Sequence, residues 1–304
     1  MNDLGRRFIA PVSFGLGDLV VSLPVVQAAV IGSRCSGTET WLVARSPSQV
    51  ALAERIPGLA GTVPEGDAGI WPREALVDLR DHPLQRDHWW GSPEFAAAYG
   101  DLSINEIVAR IGADLGVVGD FSTPVPLESR DRPDAEGLVL LVADSDGSAK
   151  RWAPERWVEL AARLGRRGLD VAVVTRGQGG DALMDRGIAG VVAGTPGDAV
   201  DVLSGCRAVV GVDTGLTHIA AQQGTPTVTL SRSPATYFRD WDHTRLVAGA
   251  PCDPVCQQEE RAYAYHPRVH LGTEHPEPRG CPADVGCLNA IEPSTVVKAL
   301  GEIC

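Results

Sequence analysis

The stretch AVVGVDTGLTHIAAQQGTPTVTL, residues 208–230, constrains the fold more than any other part of the chain. Its first five residues, Ala208 to Val212, form a short apolar run that suits a buried parallel strand. Asp213-Thr214-Gly215 breaks the run. Leu216 to Gln223 then has helical spacing, with no proline or glycine inside. Gly224-Thr225-Pro226 ends that helix, and Thr227 to Leu230 reads as the next strand. A strand, a tight turn and a helix in this order aim the helix's first amides at the turn. Such an N-terminus attracts anions through its unsatisfied N–H groups and its dipole. Gly215 permits close backbone approach, and Thr214 and Thr217 add hydroxyls. An ordinary capped turn of an α/β protein has the same pattern, so the motif needs support from elsewhere in the chain.

That support begins with strand–helix alternation on both sides of a linker. At 304 residues the chain has length for two domains. Phe8–Val12, Glu39–Ala44 and Glu74–Leu79 read as strands, with helices over Leu19–Val30, Pro47–Arg55 and Ser103–Leu115. Pro24 lies inside the first of these helices, which predicts a late start or a kink there. Residues 128–137, ESRDRPDAEG, are charged and carry a proline and a glycine, and make the best linker. Beyond them, Leu138–Ala143 and Leu169–Thr175 read as strands and Pro154–Gly165 as a helix, leading through Val191–Ala193 and Val200–Leu203 to the opening stretch. The expectation is an α/β chain of two doubly wound parallel-sheet domains facing a cleft. Domain boundaries fall at 1–130, 131–290 and a C-terminal helical segment at 291–304, which is expected to pack back on the first domain.

Composition excludes several classes. A net charge of −12 disfavours nucleic acid and anionic membrane as general partners. No run approaches the ~18 apolar residues of a spanning helix. FIAPV after Arg6-Arg7 is strand-length and lacks a small-residue cleavage site, so a cytoplasmic protein without membrane insertion is expected. Of 27 basic residues only Lys150 and Lys298 are lysines. Seven cysteines are present, and Cys252, Cys256, Cys281 and Cys287 cluster as C-x3-C and C-x5-C. Neither spacing is the C-x2-C of common zinc sites, so reduced thiols are preferred to a metal or disulfide pair.

Three further places carry candidate chemistry. Ser13-Phe14-Gly15-Leu16-Gly17-Asp18 follows the first strand but is no dinucleotide fingerprint, since Val20 stands where a third glycine is required. Asp18 lies at a strand's C-terminal end, where open α/β sheets place their sites, and could equally cap the helix. Residues 78–95, DLRDHPLQRDHWWGSPEF, form an unusual loop in which Trp89 and Trp90 could stack on a sugar or a base. Lys150 follows another strand, in DSDGSAKR, and a compact ammonium there suits a phosphate or a leaving-group oxygen.

These pieces resemble glycosyltransferase family 9, the ADP-heptose:lipopolysaccharide heptosyltransferase family. VGVDTGLTHIAAQQGTPTVTL carries that family's D-T-G-x-x-H-x-A-A followed by G-T-P, SFGLGDLVVSLPVV is similar to its S-x-x-G-D-x-x-x-x-L-P, and SAKRWAPERWVELAARL to its K-x-W-P-x-x-x-W/F element. The three lie in the expected order and, with the cysteine-bearing tail and a final helix at Pro293–Ile303, span nearly the whole chain. The resemblance implies the GT-B fold, a metal-independent inverting transfer, no cofactor, and a nucleoside-diphosphate sugar in the second domain. By motif position Asp18 is the general base and Lys150 the second catalytic residue. Ser148, Lys150, Asp213, Thr214, Gly215, Leu216, Thr217 and His218 hold the donor diphosphate, with His218 either lining the donor site or hydrogen-bonding internally. Arg176, Gln178 and Thr195 are assigned to the nucleoside. Gly17, Arg80, His82, His88, Trp89 and Trp90 are assigned to the acceptor.

Two departures bear on substrate. Residues 1–130 hold 10 Arg, no Lys and 16 Asp or Glu, a balance that disfavours a phosphorylated glycolipid and favours a soluble neutral or cationic acceptor such as a natural-product scaffold. The loop RGQGGD, Arg176–Asp181, lacks the family's Glu-rich stretch, so ADP is expected from the family rather than from any residue. Alternatives are a heptosyltransferase of lipopolysaccharide or another surface glycan, a nucleotide-sugar epimerase, and a non-catalytic nucleotide-sugar-binding protein.

Overall fold

The computed structural model describes residues 5–66, 73–80, 102–119, 124–145, 150–176, 182–231, 241–249 and 286–304. They fall into two compact units divided between Glu128 and Ser129. Each unit is built on a wholly parallel sheet.

In the first unit β1 (Arg6–Ala10), β2 (Glu39–Ala44), β3 (Gly61–Pro64) and β4 (Leu76–Asp78) pair in the order β3-β2-β1-β4. The helix α1 (Leu16–Ser36) runs through Pro24, so the late start is not seen. It is long and apolar enough to cross a membrane by length and composition alone. Its composition answers to burial in this unit instead. Leu19, Leu23, Val25 and Val26 are fully buried, and the helix packs on β2 and on the helix α3 (Ile104–Asp114). A helix apolar on most sides is what a core position requires. The short α2 (Pro47–Ala53) is capped by Ser46, whose hydroxyl accepts from Gln49 N–H. Strand β3 escapes the sequence reading because it is four residues long, bounded by Gly61 and Pro64, and at a sheet edge.

The linker is held against the second unit: the Arg130 N–H donates to the buried Asp201 carboxylate at 2.7 Å. Here β5 (Val139–Val142), β6 (Val171–Thr175), β7 (Ala189–Val192), β8 (Ala208–Val212), β9 (Thr227–Ser231) and β10 (Thr244–Ala248) pair as β10-β9-β8-β5-β6-β7. Counted from β5, that is the 3-2-1-4-5-6 order of a nucleotide-binding doubly wound sheet. The chain order reverses between β5 and β8, and the crevice outside their carboxyl ends is the place such sheets bind ligands. The helices are α4 (Pro154–Gly165), α5 (Pro196–Gly205), α6 (Gly215–Gln222), α7 (Gly286–Asn289) and α8 (Pro293–Gly301).

Helix α8 corrects an expectation about the C-terminus. It packs on α4 and on the β9 and β10 side of the sheet, within the second unit. Ile291, Val296, Val297 and Leu300 join Trp157 and Leu160 in one core, so the apolar face of this segment completes the second domain.

Gly211 sets how closely that core can close. A methyl group at this position of β8 would lie 2.4 Å from Thr217 Oγ1 and 2.9 Å from Val142 Cβ. Both neighbours are buried, and the Thr217 hydroxyl is fixed by donating to Val212 O at 2.7 Å. Gly211→Ala is therefore expected to destabilise the protein by about 1–3 kcal/mol, as overpacking in closed cores does. Denaturant unfolding measures it, and an unchanged midpoint would contradict this close approach.

Candidate functional site

Lys150 and the turn at Asp213 meet because of strand register. Val142, the last residue of β5, pairs with Gly211 of β8, so the loops leaving the two strands emerge side by side at the point where strand order reverses. Lys150 Nζ donates to Asp213 Oδ2 at 2.9 Å. The other carboxylate oxygen, Oδ1, accepts from His218 Nε2 at 3.1 Å, one turn into α6. The result is a cation, an anion and an imidazole, with Asp213 in the middle.

The surroundings fix this triad. Two residues after Lys150, Trp152 is buried and meets Trp157 of α4 edge-on, with ring centroids 5.0 Å apart and planes at 82°. The aromatic residues of the K-x-W-P-like element are thus core anchors that set where the lysine loop leaves the sheet. Ala153 N–H donates to Asn289 Oδ1 at 3.0 Å, which ties the same segment to α7. On the other side His218 is buried, with its side chain 9% exposed, and Asp213 is 18% exposed against 38% for Lys150.

Burial works against an ionised Asp213, but the Lys150 charge and the hydrogen bond and charge of His218 outweigh it and hold the carboxyl well below the usual carboxylate range. The linkage sign follows. A carboxyl depressed in the folded state stabilises the fold above its unfolded pKa of about 4, and that stabilisation is lost as pH falls through the folded value. Asp213 is therefore an anion throughout neutral pH.

The start of α6 is open. Thr214 is its N-cap, in extended geometry, and makes no side-chain cap. Ser46, Ser103 and Thr195 each accept from the third residue of their own helices, whereas α1, α4 and α8 share with α6 a start without a side-chain cap. The N–H groups at Gly215 and Leu216 thus lie where an anion can take the place of a cap.

Not every residue assigned to the donor fits as expected. The Thr217 side chain is fully buried and its hydroxyl serves Val212 O, so only its backbone remains for a ligand. His218 takes the internal alternative through Asp213. Thr195 caps α5 with its hydroxyl, accepting from Asp198 N–H at 3.1 Å, at the end of edge strand β7 and away from the reversal point. Arg176 is exposed after β6. Ser148 and Gln178 lie outside the described residues, as do His82, His88, Trp89, Trp90, Cys252, Cys256 and Cys281. Cys287 is a half-buried free thiol, and the described residues hold no cluster suited to a metal ion. Cys206 is also free and half-buried, and desolvation pushes its thiol up to about 12, which makes it unreactive.

In the first unit the C-terminal ends of all four strands carry polar groups. Asp18 is three residues past the N-cap of α1, and its Oδ2 accepts from Gly15 N–H at 2.9 Å, so the capping geometry is real. A Cβ at Gly15 would lie 2.7 Å from that oxygen, so a larger residue there would displace the carboxylate. The neighbouring strand ends contribute Arg45, Glu65, Asp78 and Arg80. Arg45 Nε donates to Glu65 Oε2 at 2.9 Å, Arg80 pairs with Glu65, and Arg80 Nε and Nη2 grip the two oxygens of Asp78 at 2.7 Å. The Arg45 side chain is 3% exposed. Burial pulls its guanidinium below the ordinary value, against which Asp78 and Asp18 act. Arg80 was expected from sequence, and Gly17 lies in the first turn of α1. Arg45 and Glu65 were missed, and Asp78 entered only as the first residue of the 78–95 loop. Their signal was positional, since each ends or directly follows a strand.

Residues 115–261 match the model of the family described as glycosyltransferase family 9 (heptosyltransferase). A comparison with curated protein sequences finds no match. Among solved structures, a glycosyl transferase family 9 protein from Veillonella parvula is similar over 99% of this chain and 97% of its own, with 15% identity and a TM-score of 0.65. E. coli heptosyltransferase WaaC with ADP-2-deoxy-2-fluoro heptose is similar over 98% of this chain and 100% of its own, at 16% identity and a TM-score of 0.59. The iron-containing dodecameric glycosyltransferase TibC of enterotoxigenic E. coli is similar over 98% of this chain and 76% of its own, at 18% identity and a TM-score of 0.65. At these identities the likeness is one of fold, two parallel-sheet α/β domains of the GT-B kind.

Proposed function

Residues 115–261 make this chain a member of glycosyltransferase family 9, and from that premise we propose an inverting, metal-independent transfer of heptose from ADP-heptose to a hydroxyl or amine of a soluble, neutral or cationic acceptor. That the chain is a nucleotide-sugar glycosyltransferase comes with the family. The observation that supports the donor site is the Lys150–Asp213 pairing beside the uncapped start of α6, at the strand-order reversal of the second sheet. A lysine and free helix amides together match the charge that a leaving nucleoside diphosphate acquires.

In the proposed reaction the acceptor oxygen or nitrogen attacks the anomeric carbon and gives its proton to Asp18. The bond from that carbon to the diphosphate oxygen breaks as the new glycosidic bond forms, and the electron pair leaves on the nucleoside diphosphate. A single displacement inverts the anomeric centre. No step calls on a metal, and the four clustered cysteines are read as thiols. The neutral or cationic acceptor is supported at the rim of the first sheet, where Arg45 and Arg80 are both already engaged by carboxylates. An arginine committed to an internal carboxylate is a poor clamp for a phosphorylated acceptor. The reading places the protein in the cytoplasm.

The test is a thermal-shift screen of ADP-, GDP- and UDP-sugars, followed by transfer from the stabilising donor into acceptor pools read by mass spectrometry. The expected result is stabilisation by ADP-heptose and a product heavier than an uncharged acceptor by one heptosyl residue, undiminished in the presence of a chelator. Stabilisation by UDP- or GDP-sugars alone would remove the donor assignment. Loss of transfer on chelation would remove the metal-independent mechanism, and interconversion of the sugar without an acceptor would favour an epimerase.

A further inference from the structure

We propose that Asp213 is a positioning residue, an anion that holds the Lys150 ammonium at the mouth of α6, and not itself a ligand of the diphosphate. The proposal rests on the donor-site reading above. An ionised carboxylate and a diphosphate both offer only hydrogen-bond acceptors, so a direct contact between them is repulsive. Asp213 sits beside the open helix start all the same, and its two oxygens are directed to cation and imidazole: Oδ2 to Lys150 at 2.9 Å, Oδ1 to His218 at 3.1 Å.

The arrangement divides the work between the two partners. Lys150 carries its charge on a four-carbon stem from a loop, and holding such a chain in one rotamer costs side-chain entropy of order 1.5–2 kcal/mol unless a partner fixes it. His218 is anchored in α6 between buried neighbours Thr217 and Ile219, so its Nε2–H fixes the carboxylate's orientation from a rigid element. The histidine sets the aspartate and the aspartate sets the lysine. With a neutral imidazole the three groups sum to zero charge. Replacing the lysine alone would leave a mostly buried carboxylate facing the incoming anion.

That asymmetry gives a test whose sign separates the two roles and needs no acceptor. ADP affinity is measured by calorimetry for the wild type, Lys150→Ala, Asp213→Asn and the double variant, each checked for a cooperative melt. Lys150→Ala is expected to weaken ADP binding at least tenfold. Adding Asp213→Asn to it is expected to recover threefold or more, because the orphaned negative charge is gone. A direct ligand would instead lose further affinity in the double variant, which would overturn the proposal. Lys150→Ala with unchanged ADP affinity would show that the lysine is not at the diphosphate, and the donor-site reading would fall together with the proposal. A second measurement holds even if Asp213→Asn does not fold. The chain has two lysines, so selective lysine side-chain labelling gives two NMR signals in the wild-type protein. Slow ammonium exchange is expected at Lys150 and fast exchange at Lys298, with the Lys150 signal moving on addition of ADP. Fast exchange at both lysines would overturn the holding role.

Discussion

Lys150→Ala is expected to lower kcat/KM for the nucleotide sugar by about 10²- to 10³-fold, the scale found when one preorganised donor of charge stabilisation is removed from an active site. Charge develops on the diphosphate as the glycosyl bond breaks, so most of the loss should appear in kcat. Part should appear in KM, since the Asp213 carboxylate loses its cation at 2.9 Å and then opposes the donor's own charge. Lys150→Arg should restore less than full activity. A guanidinium is longer and planar, and its fork favours a bidentate grip on Asp213 over release toward the phosphates. The lysine side chain is 38% exposed, so its removal leaves the core intact, while the mostly buried Asp213 carboxylate loses its cation and the melting temperature falls. Steady-state kinetics with the donor varied decides the matter. A change in kcat/KM below twofold in folded Lys150→Ala would end the assignment.

The fold was legible because buried parallel strands are short apolar runs between turn residues, and this chain punctuates them clearly. Glu39–Ala44 and Ala208–Val212 were placed to the residue, and so was the helix at Pro154–Gly165. The edges were hard for the opposite reason. Strand β10, Thr244–Ala248, is a five-residue edge strand whose Arg245 is only half-buried, so it has no strong alternation or apolar run. Val200–Leu203 has a strand-like look, but Thr195-Pro196 starts a capped helix that carries those residues through its buried face. The turn at Asp213 was visible as a motif, yet its internal wiring was not. Sequence spacing puts Thr217 and His218 in the first turns of a helix without saying which way they point. The structure turns Thr217 into the core and His218 onto Asp213. The rim of the first sheet was hidden for a different reason. Arg45, Glu65 and Asp78 are far apart in sequence and become neighbours only through the pairings of β3 with β2, β2 with β1 and β1 with β4. No local pattern encodes such a meeting.

Asp18→Asn is expected to cut kcat by about 10²- to 10⁴-fold, the range contributed by a positioned general base, with little change in donor KM. The substitution is chosen for shape. An asparagine oxygen can still accept from Gly15 N–H, as Asp18 Oδ2 does at 2.9 Å, so the start of α1 is kept. What the helix loses is one negative charge near its N-terminus, worth about 0.3–1 kcal/mol. The capping role and the catalytic role thus part on the rate of transfer. If Asp18 only caps α1, the variant melts slightly earlier and transfers sugar at the wild-type rate. If it also takes the acceptor's proton, the same small loss of stability is accompanied by a collapse of transfer, along with the acidic limb of the pH–rate profile. That limb cannot come from Asp213, whose carboxyl is held below the usual range by Lys150 and His218. Gly15→Ala completes the comparison. Its Cβ would lie 2.7 Å from Asp18 Oδ2 and would push the carboxylate off the amide without removing it. An intermediate loss of kcat, with the acidic limb retained, is the expected signature of a base present but misplaced. Wild-type turnover in both folded variants would leave Asp18 as a helix cap and move the search for the base to the carboxylates at the neighbouring strand ends, Glu65 and Asp78.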